Sequence, residues 1–205
     1  MKESLLMCDS TEGDGKAESV MDYIMSYSLR HAESKYLTEK PTLCRYCKYM
    51  LCKLLELEQQ IDDIKIEKVE VWRQWQYIDL RTEITLFNKG VKEYYALLIE
   101  DKYYSPLRYY KDSNGEWHNQ MEYYKDIFEK YYEAKNDYNW NTKYALVSCF
   151  EREDTKICKY DEVKSIGVNI FAFYDIIDNA FWHEDVDAYE ETESEIFNEF
   201  WLRKW

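Results

Sequence analysis

Apolar and polar positions alternate along residues 77–87, which is the clearest pattern in the chain. The even positions from Ile78 to Leu86 are mainly apolar, whereas the odd positions from Asp79 to Thr85 are polar. A period of two residues is typical of a half-buried strand. Residues 92–102 form a second, more apolar run, and Asn88-Lys89-Gly90 between the two runs has the composition of a turn. The pattern predicts a β-hairpin.

Two acidic residues, Asp79 and Glu100, lie near the open end of this predicted hairpin. If the numbers of paired residues sum to 179, Asp79 lies opposite Glu100 and both side chains point to one face. This register also places Phe87 opposite Lys92 and predicts a four-residue loop at 88–91. Two carboxylates held close together raise one another's pKa, and a divalent cation relieves their repulsion. An oxygen-lined site of this type suits Mg²⁺ or Mn²⁺.

The rest of the chain shows mainly helical spacing of its apolar residues. Helices are predicted at about 18–31, 42–60, 116–133, 169–182 (within an apolar segment, 165–182) and 191–205. Further strands are predicted at 64–76 and 143–150. This order predicts an α/β (α+β) fold with an αβββαβ core, a mixed central sheet flanked by helices, and additional C-terminal helices. The predicted organisation is a flexible segment at 1–17, one domain at 18–182, and an acidic linker with an amphipathic helix at 183–205 packed on that domain.

Composition supports a folded domain and limits the kinds of partner. The chain has 205 residues, of which 46% are hydrophobic, and its formal net charge is −14. It has no apolar run long enough for a membrane span and no signal peptide, which predicts a soluble, cytoplasmic, acidic protein without membrane contacts. Basic residues that follow the hairpin could contact phosphate or could form a solvated face, and the second interpretation is favoured. These are Arg108, Lys111, Lys125 and Lys130.

Cysteine, histidine and tyrosine each allow more than one interpretation. Cys44-x-x-Cys47 suggests zinc, but both cysteines lie on an apolar helical stripe and no second pair completes four ligands, so core packing is favoured. His31, His118 and His183 fall in no ligand spacing. The 21 tyrosines could stack on bases, but their strand and helix positions favour packing for most of them.

Ile78-Asp79 and Glu100-Asp101-Lys102, separated by a hairpin, resemble the motif of the PD-(D/E)XK nuclease superfamily. The next predicted helix carries Gln120 and Tyr124 in a Gln-x-x-x-Tyr arrangement that is similar to one bacterial branch of that superfamily. Ile78 stands where the family name has Pro, a position without a chemical role. The resemblance extends over about residues 18–180, and its specific motifs lie within 78–124.

The resemblance implies a role for each residue of the motif. Asp79 and Glu100 are expected to bind Mg²⁺ (or Mn²⁺), together with the main-chain carbonyl of Asp101, whose side chain points to the opposite face. The family also has a helix-borne glutamate at the metal, for which Glu18 is the first candidate. The alternative is that Glu18 only complements the helix dipole, with Glu56 or Glu58 as the ligand instead.

Lys102 is expected to orient or help deprotonate the attacking water. Gln120 and Tyr124 would form hydrogen bonds near the metal or the nucleic-acid backbone; otherwise they are a surface glutamine and a core tyrosine. The predicted function is that of a metal-dependent hydrolase, a nuclease that binds nucleic acid, with DNA favoured over RNA. The alternative is a binding module on the same restriction-endonuclease-like fold. Its acidic surface would dock on a protein partner in defence or anti-defence.

Overall fold

The computed structural model describes residues 17–103, 105–112, 114–149, 155–177, 179–186 and 188–203, together with Ser4 and Leu6. The predicted flexible segment 1–17 therefore lies almost wholly outside the described residues. The helices are α1 (Ala17–His31), α2 (Pro41–Leu54), α3 (Gln120–Lys135) and α4 (Glu195–Trp201). The strands are β1 (Ile64–Trp75), β2 (Ile78–Asn88), β3 (Val91–Lys102), β4 (Tyr109–Lys111), β5 (Trp117–Asn119), β6 (Trp140–Ser148), β7 (Asn169–Ala172), β8 (Trp182–His183) and β9 (Ala188–Tyr189).

A mixed sheet of five strands, in the order β1-β2-β3-β6-β7, forms the centre of the fold. β1, β2 and β3 are antiparallel neighbours, whereas β6 and β7 run parallel to β3. A parallel neighbour needs a crossover connection, and α3 lies in the one that links β3 to β6. Helices cover both faces of the sheet, so the predicted mixed α/β architecture is confirmed.

The register of the central hairpin is confirmed. Leu80 pairs with Ile99 and Phe87 pairs with Lys92, so the paired numbers sum to 179. The predicted four-residue loop is wrong, because Asn88 and Val91 also pair and only Lys89 and Gly90 remain in the turn. Their φ angles of 50° and 82° are both left-handed, as in the two-residue turns whose twist matches that of the flanking strands.

Both faces of β3 are buried, and this determines where its acidic residues point. Leu97 and Ile99 pack with α1, α2 and α4 on one face. Ala96 and Leu98 pack with α3 on the other face. Because successive strand residues alternate between faces, Glu100 lies on the α3 side and Asp101 on the α1 side.

The helix predicted at 169–182 is wrong. Asn169–Ala172 forms β7, and Phe173–Ile176 and Asn179–Phe181 are single turns of 3₁₀ helix. A short apolar run fits a buried strand as well as a helix, and here pairing with β6 determines the outcome. The last helix is also shorter than predicted, since α4 spans only Glu195–Trp201. Its Phe197 and Trp201 are fully buried in the core formed with α1 and α2.

Other boundaries differ by a few residues, with local causes. α3 begins at Gln120 instead of Glu116 because Trp117–Asn119 pairs with β4, and the Asn119 side chain then accepts the N–H of Glu122 as the helix cap. α2 ends at Leu54 and is followed by a 3₁₀ turn at Glu58–Asp63. β6 begins at Trp140, three residues before the strand predicted at 143–150.

The structure also bears on the predictions for the two cysteines and for membrane spans. Cys44 and Cys47 are buried in the core beside the sheet, as the apolar stripe predicts, and both are free thiols. In the part of the chain that the structure describes, no helix has the length and apolar character needed to cross a bilayer.

Candidate active site

A cavity of about 240 Å³ lies where the end of β3 meets α1 and α3. We call it the acidic cavity. Of the seven site residues named from the sequence, six line it: Glu18, Asp79, Glu100, Lys102, Gln120 and Tyr124. The exception is Asp101, whose side chain is fully buried on the opposite face of the sheet.

Glu100 and Lys102 form a buried ion pair in this cavity. Their exposed fractions are 3% and 5%, and Lys102 Nζ donates a hydrogen bond of 2.6 Å to Glu100 Oε1. The Gln120 amide donates to the same oxygen. Glu100 Oε2 is buried and has no hydrogen-bond partner among the described residues. Burial, followed by the neighbouring carboxylate of Asp79, raises the pKa of Glu100 to about 8.

Two donors orient the carboxylate of Asp79. The Asp101 N–H donates to Asp79 Oδ2 at 3.0 Å, so the main chain of β3 holds a side chain of β2. The Gln74 amide donates to the other oxygen, also at 3.0 Å. Asp79 thus lies against the end of β3 beside Glu100, as the register predicts.

Gln120 is a buried positioning residue, and the interpretation as a surface glutamine is wrong. It is 1% exposed. Its main-chain N–H donates to the carbonyl of Arg108 and its side-chain oxygen accepts from the N–H of Arg108, both at 2.8 Å. These bonds leave the amide nitrogen directed at Glu100. Gln120 is therefore fixed by main chain on one side and orients a carboxylate on the other.

Tyr124 forms part of the cavity wall one helical turn after Gln120. It is 3% exposed and belongs to the core between α3 and the sheet, so it packs and lines the cavity at once. Burial, and then the nearby Glu100, raise the pKa of its hydroxyl above the ordinary value for tyrosine. The hydroxyl therefore stays protonated and can donate a hydrogen bond.

Glu18 lies at the cavity but is held by the chain that follows β3. Its Oε1 accepts from the Tyr103 N–H at 3.0 Å and from the Ser105 hydroxyl. Among the described residues, only one group of three His, Cys, Asp or Glu side chains has all its ligand atoms within 4.8 Å of one another, and Glu18 is not in it. In this position Glu18 connects α1 to the end of β3. The two fallback residues, Glu56 and Glu58, line a different cavity.

A second pair of acids, Asp22 and Asp101, lies on the α1 side of β3, and Asp22 also lines the acidic cavity. The side chain of Asp22 lies close enough to that of Asp101 for a hydrogen bond when one of the two acids is protonated, and neither Asp101 oxygen has another hydrogen-bond partner within the described ranges. Burial first, and then Asp79, raise the pKa of Asp22 to about 7 and that of Asp101 well above its usual range. Gln74 donates to Asp22 at 3.2 Å as well as to Asp79, so it connects the acid on α1 to the acid on β2.

Sequence reasoning missed Asp22 and Gln74. Asp22 follows Glu18 by four residues, so helical spacing could have placed both on one face of α1. No comparable signal marks Gln74, because its left-handed φ of 54° directs its side chain out of the strand pattern.

The closely spaced group lies elsewhere and consists of Asp112 and Glu116, in the connection between β4 and β5, together with His118 of β5. We call it the loop cluster. His118 falls in no ligand spacing along the sequence, but in the fold it lies beside Asp112 and Glu116, and the cluster is exposed or half-exposed. The N–H groups of Glu116 and Asn114 donate to Asp112 and lower its pKa. A hydrogen bond to Glu122 raises the pKa of His118. The turn's own hydrogen bonds thus account for this arrangement.

The donor set of the acidic cavity fits a divalent cation. Asp79 and Glu100 supply adjacent carboxylates, and Glu100 Oε2 is a buried acceptor that lacks a donor among the described residues. Hard oxygen ligands of this kind are those that Mg²⁺ and Mn²⁺ prefer. Comparison with models of protein families, with curated proteins and with solved structures gives no significant match to the chain. A functional assignment therefore depends on the site itself.

Proposed function

We propose that the chain is a Mg²⁺-dependent nuclease of the PD-(D/E)XK type on a restriction-endonuclease-like core. One observation carries the proposal: Asp79 and Glu100, from the two arms of one hairpin, and Lys102 line a single cavity, where Glu100 is almost completely buried. The sheet is compatible with that core, because three antiparallel strands are followed by a helix and a parallel strand.

Different residues of the acidic cavity would have different roles in phosphodiester hydrolysis. Asp79 and Glu100, with the main-chain carbonyl of Asp101, would hold the cation. When bound, Mg²⁺ supplies Lewis-acid stabilisation of the negative charge on the phosphate. Glu18 lies close enough to the cavity to act through water, although its carboxylate is engaged by Tyr103 and Ser105.

Lys102 supplies the fixed positive charge. Its ammonium is held beside Glu100 at 2.6 Å in a site that excludes most solvent, where electrostatic interactions are strong. There it would orient the attacking water and stabilise charge that develops on the phosphate. Gln120 keeps Glu100 in place through its bonds to the main chain of Arg108. Hydrogen bonds of this kind hold a site in its working geometry.

The net charge of −14 constrains how the substrate binds. An acidic protein gains little from long-range attraction to phosphates, so its contacts with nucleic acid have to be local. Arg108 and Lys102 line the acidic cavity and are the local cations available there. We therefore expect weak binding that falls further as salt increases.

The test is a cleavage assay on linear, circular and single-stranded DNA and on RNA, with Mg²⁺ or Mn²⁺. Asp79→Asn and Lys102→Met should each reduce the cleavage rate by at least about 10²-fold, because each removes a charge from the reacting centre. Glu116→Gln, in the exposed loop cluster, should retain the wild-type rate. Cleavage that is equal in all four proteins would indicate a contaminant and overturn the assignment. Absence of cleavage in every condition, with tight binding of a purified basic protein, would favour the binding module.

A further inference from the structure

A second, larger cavity of about 550 Å³ opens beside the acidic cavity. We call it the tyrosine groove. The two cavities share three wall residues, Tyr77, Tyr110 and Tyr124, so they are adjacent. A phosphodiester held over Asp79 and Glu100 would therefore have its neighbouring nucleotide at the mouth of this groove.

Three aromatic rings in the groove are exposed to solvent. Tyr77, Tyr110 and Tyr123 are 78%, 38% and 46% exposed. The ring centroids of Tyr110 and Tyr123 are 5.6 Å apart at an angle of 37°, so the rings form a tilted wall instead of stacking on each other. Exposed aromatic surface of this kind is available to stack on a flat ligand.

Tyr77 has a backbone conformation that is unfavourable for tyrosine. Trp75 pairs with Ile78, so Gln76 and Tyr77 alone form the turn between β1 and β2. Their φ angles are 53° and 70°, a left-handed conformation that normally selects Asn or Gly in such turns. Strain of this type concentrates at functional sites. Here it places a tyrosine ring over the junction of the two cavities.

The charges around the groove indicate which part of a nucleotide it accepts. Asp112, Glu122 and Asp126 line it, against Lys111 and the imidazole of His118. This surplus of acids would repel a phosphate but not an uncharged base. In a duplex the faces of the bases are covered by their neighbours, so only an unpaired nucleotide can present a base to the tyrosine rings.

We propose that the tyrosine groove binds an unpaired nucleobase next to the scissile phosphate, so that the substrate is single-stranded. This inference rests on the proposed nuclease function for the position of the phosphate. Stacking supplies the affinity that an acidic protein cannot obtain from phosphate contacts. Recognition by stacking also tolerates any base, because every base has a π-face.

The test measures binding without cleavage, by fluorescence anisotropy in EDTA. Three labelled DNA probes of 12 nucleotides per strand are compared. They are a single-stranded oligodeoxyadenylate, an abasic strand of the same length, and a blunt-ended duplex of the same length. If the tyrosine groove binds an unpaired base, the single strand should bind at least about tenfold more tightly than the abasic strand or the duplex, because neither of those can stack a base on the tyrosine rings. Equal affinity for the normal and abasic strands would overturn the proposal.

Variants localise the effect. Tyr123→Ala should weaken binding of the single strand about tenfold, whereas Tyr123→Phe, which keeps the ring, should retain it. Tyr138→Ala is the matched control, because Tyr138 is similarly exposed at 51% but stacks on Tyr94 and lies outside both cavities. Affinity that is the same in Tyr123→Ala and Tyr138→Ala would overturn the groove as the binding site.

The two proposals fail in different ways. Base-dependent binding in EDTA, without cleavage in any metal, would contradict the nuclease and leave the groove supported. Cleavage that depends on Asp79 but proceeds equally well on abasic or duplex substrates would support the nuclease and overturn the groove.

Discussion

The loop cluster and the acidic cavity both bring acidic side chains together, and the one with the closer side chains is the weaker candidate for a site. In the loop cluster, Asp112, Glu116 and His118 bring their ligand atoms within 4.8 Å of one another, yet solvent and the hydrogen bonds of the turn already stabilise them. In the acidic cavity the carboxylates are less concentrated, but Glu100 is almost completely buried and keeps an oxygen without a described donor. A candidate site is distinguished from a solvated turn by buried polar atoms that lack hydrogen-bond partners, more than by how close its side chains lie to one another.

The largest expected effect is the dependence of stability on pH. The pKa values of Asp22 and Glu100 rise on folding from 3.8 to about 7 and from 4.5 to about 8. The folded state therefore binds protons more tightly than the unfolded state, and the stabilisation is complete at low pH and lost as pH rises between these limits. A tenfold difference in proton affinity between the two states corresponds to about 1.4 kcal/mol. Urea unfolding of the metal-free protein should show a free energy of unfolding that falls by several kcal/mol from pH 5 to pH 8. A free energy that rises over this range would contradict the prediction.

Mg²⁺ should offset part of that loss. At pH 8, close to the raised pKa of Glu100, about half of this carboxyl group is ionised and available as a ligand, whereas at pH 5 it is protonated and its proton competes with the cation. At a concentration about 100 times the dissociation constant, binding adds about 2.7 kcal/mol to the free energy of unfolding. The gain in melting temperature on adding Mg²⁺ should therefore be larger at pH 8 than at pH 5. An equal gain at both values would indicate binding to other groups.

Asp101→Asn should stabilise the metal-free protein at pH 8. Asp101 is fully buried, and burial with the neighbouring acids Asp79 and Asp22 raises its pKa well above the usual range, so at pH 8 folding has to bury a charge or take up a proton; an amide avoids both costs. We expect a gain of about 2 kcal/mol, within the range measured for unsatisfied buried groups. The gain should vanish near pH 4, where the acid is already protonated. A loss of stability at pH 8 in thermal unfolding would show that Asp101 has a stabilising partner.

The smallest effect is expected in the loop cluster. Asp112→Asn keeps the shape of the side chain but weakens the charge-assisted bonds from the N–H groups of Asn114 and Glu116. The free energy of unfolding should decrease only slightly, because solvent can replace the weakened bonds of an exposed turn residue. A much larger loss would mean that this cluster, and not the acidic cavity, carries uncompensated charge.

The hairpin was predictable because two independent patterns agreed. The alternation around Asp79 determines which residues share a face, and the requirement that Asp79 oppose Glu100 then selects one register. The turn was not predictable to the residue, since nothing in the sequence marks Lys89 as left-handed. The apolar run at 169–172 was assigned to a helix because its partner strand, β6, is distant in sequence.

The candidate site was predictable in its hairpin residues and only partly beyond them. The position of Gln120 follows from its spacing on a helix, but its burial depends on two bonds to Arg108 that no sequence pattern encodes. Glu18 was placed at the right cavity, whereas its engagement by Tyr103 depends on how the chain leaves β3. Asp22 was missed because its proximity to Asp101 arises only when α1 packs across the sheet.

A titration of Mn²⁺ into the metal-free protein at pH 8, with free Mn²⁺ measured by electron paramagnetic resonance, tests the central claim most directly. Wild type and Glu116→Gln should each bind the ion with the same affinity, and Glu100→Gln should lose that binding. The opposite result, binding retained in Glu100→Gln and lost in Glu116→Gln, would place the metal in the loop cluster and contradict the account.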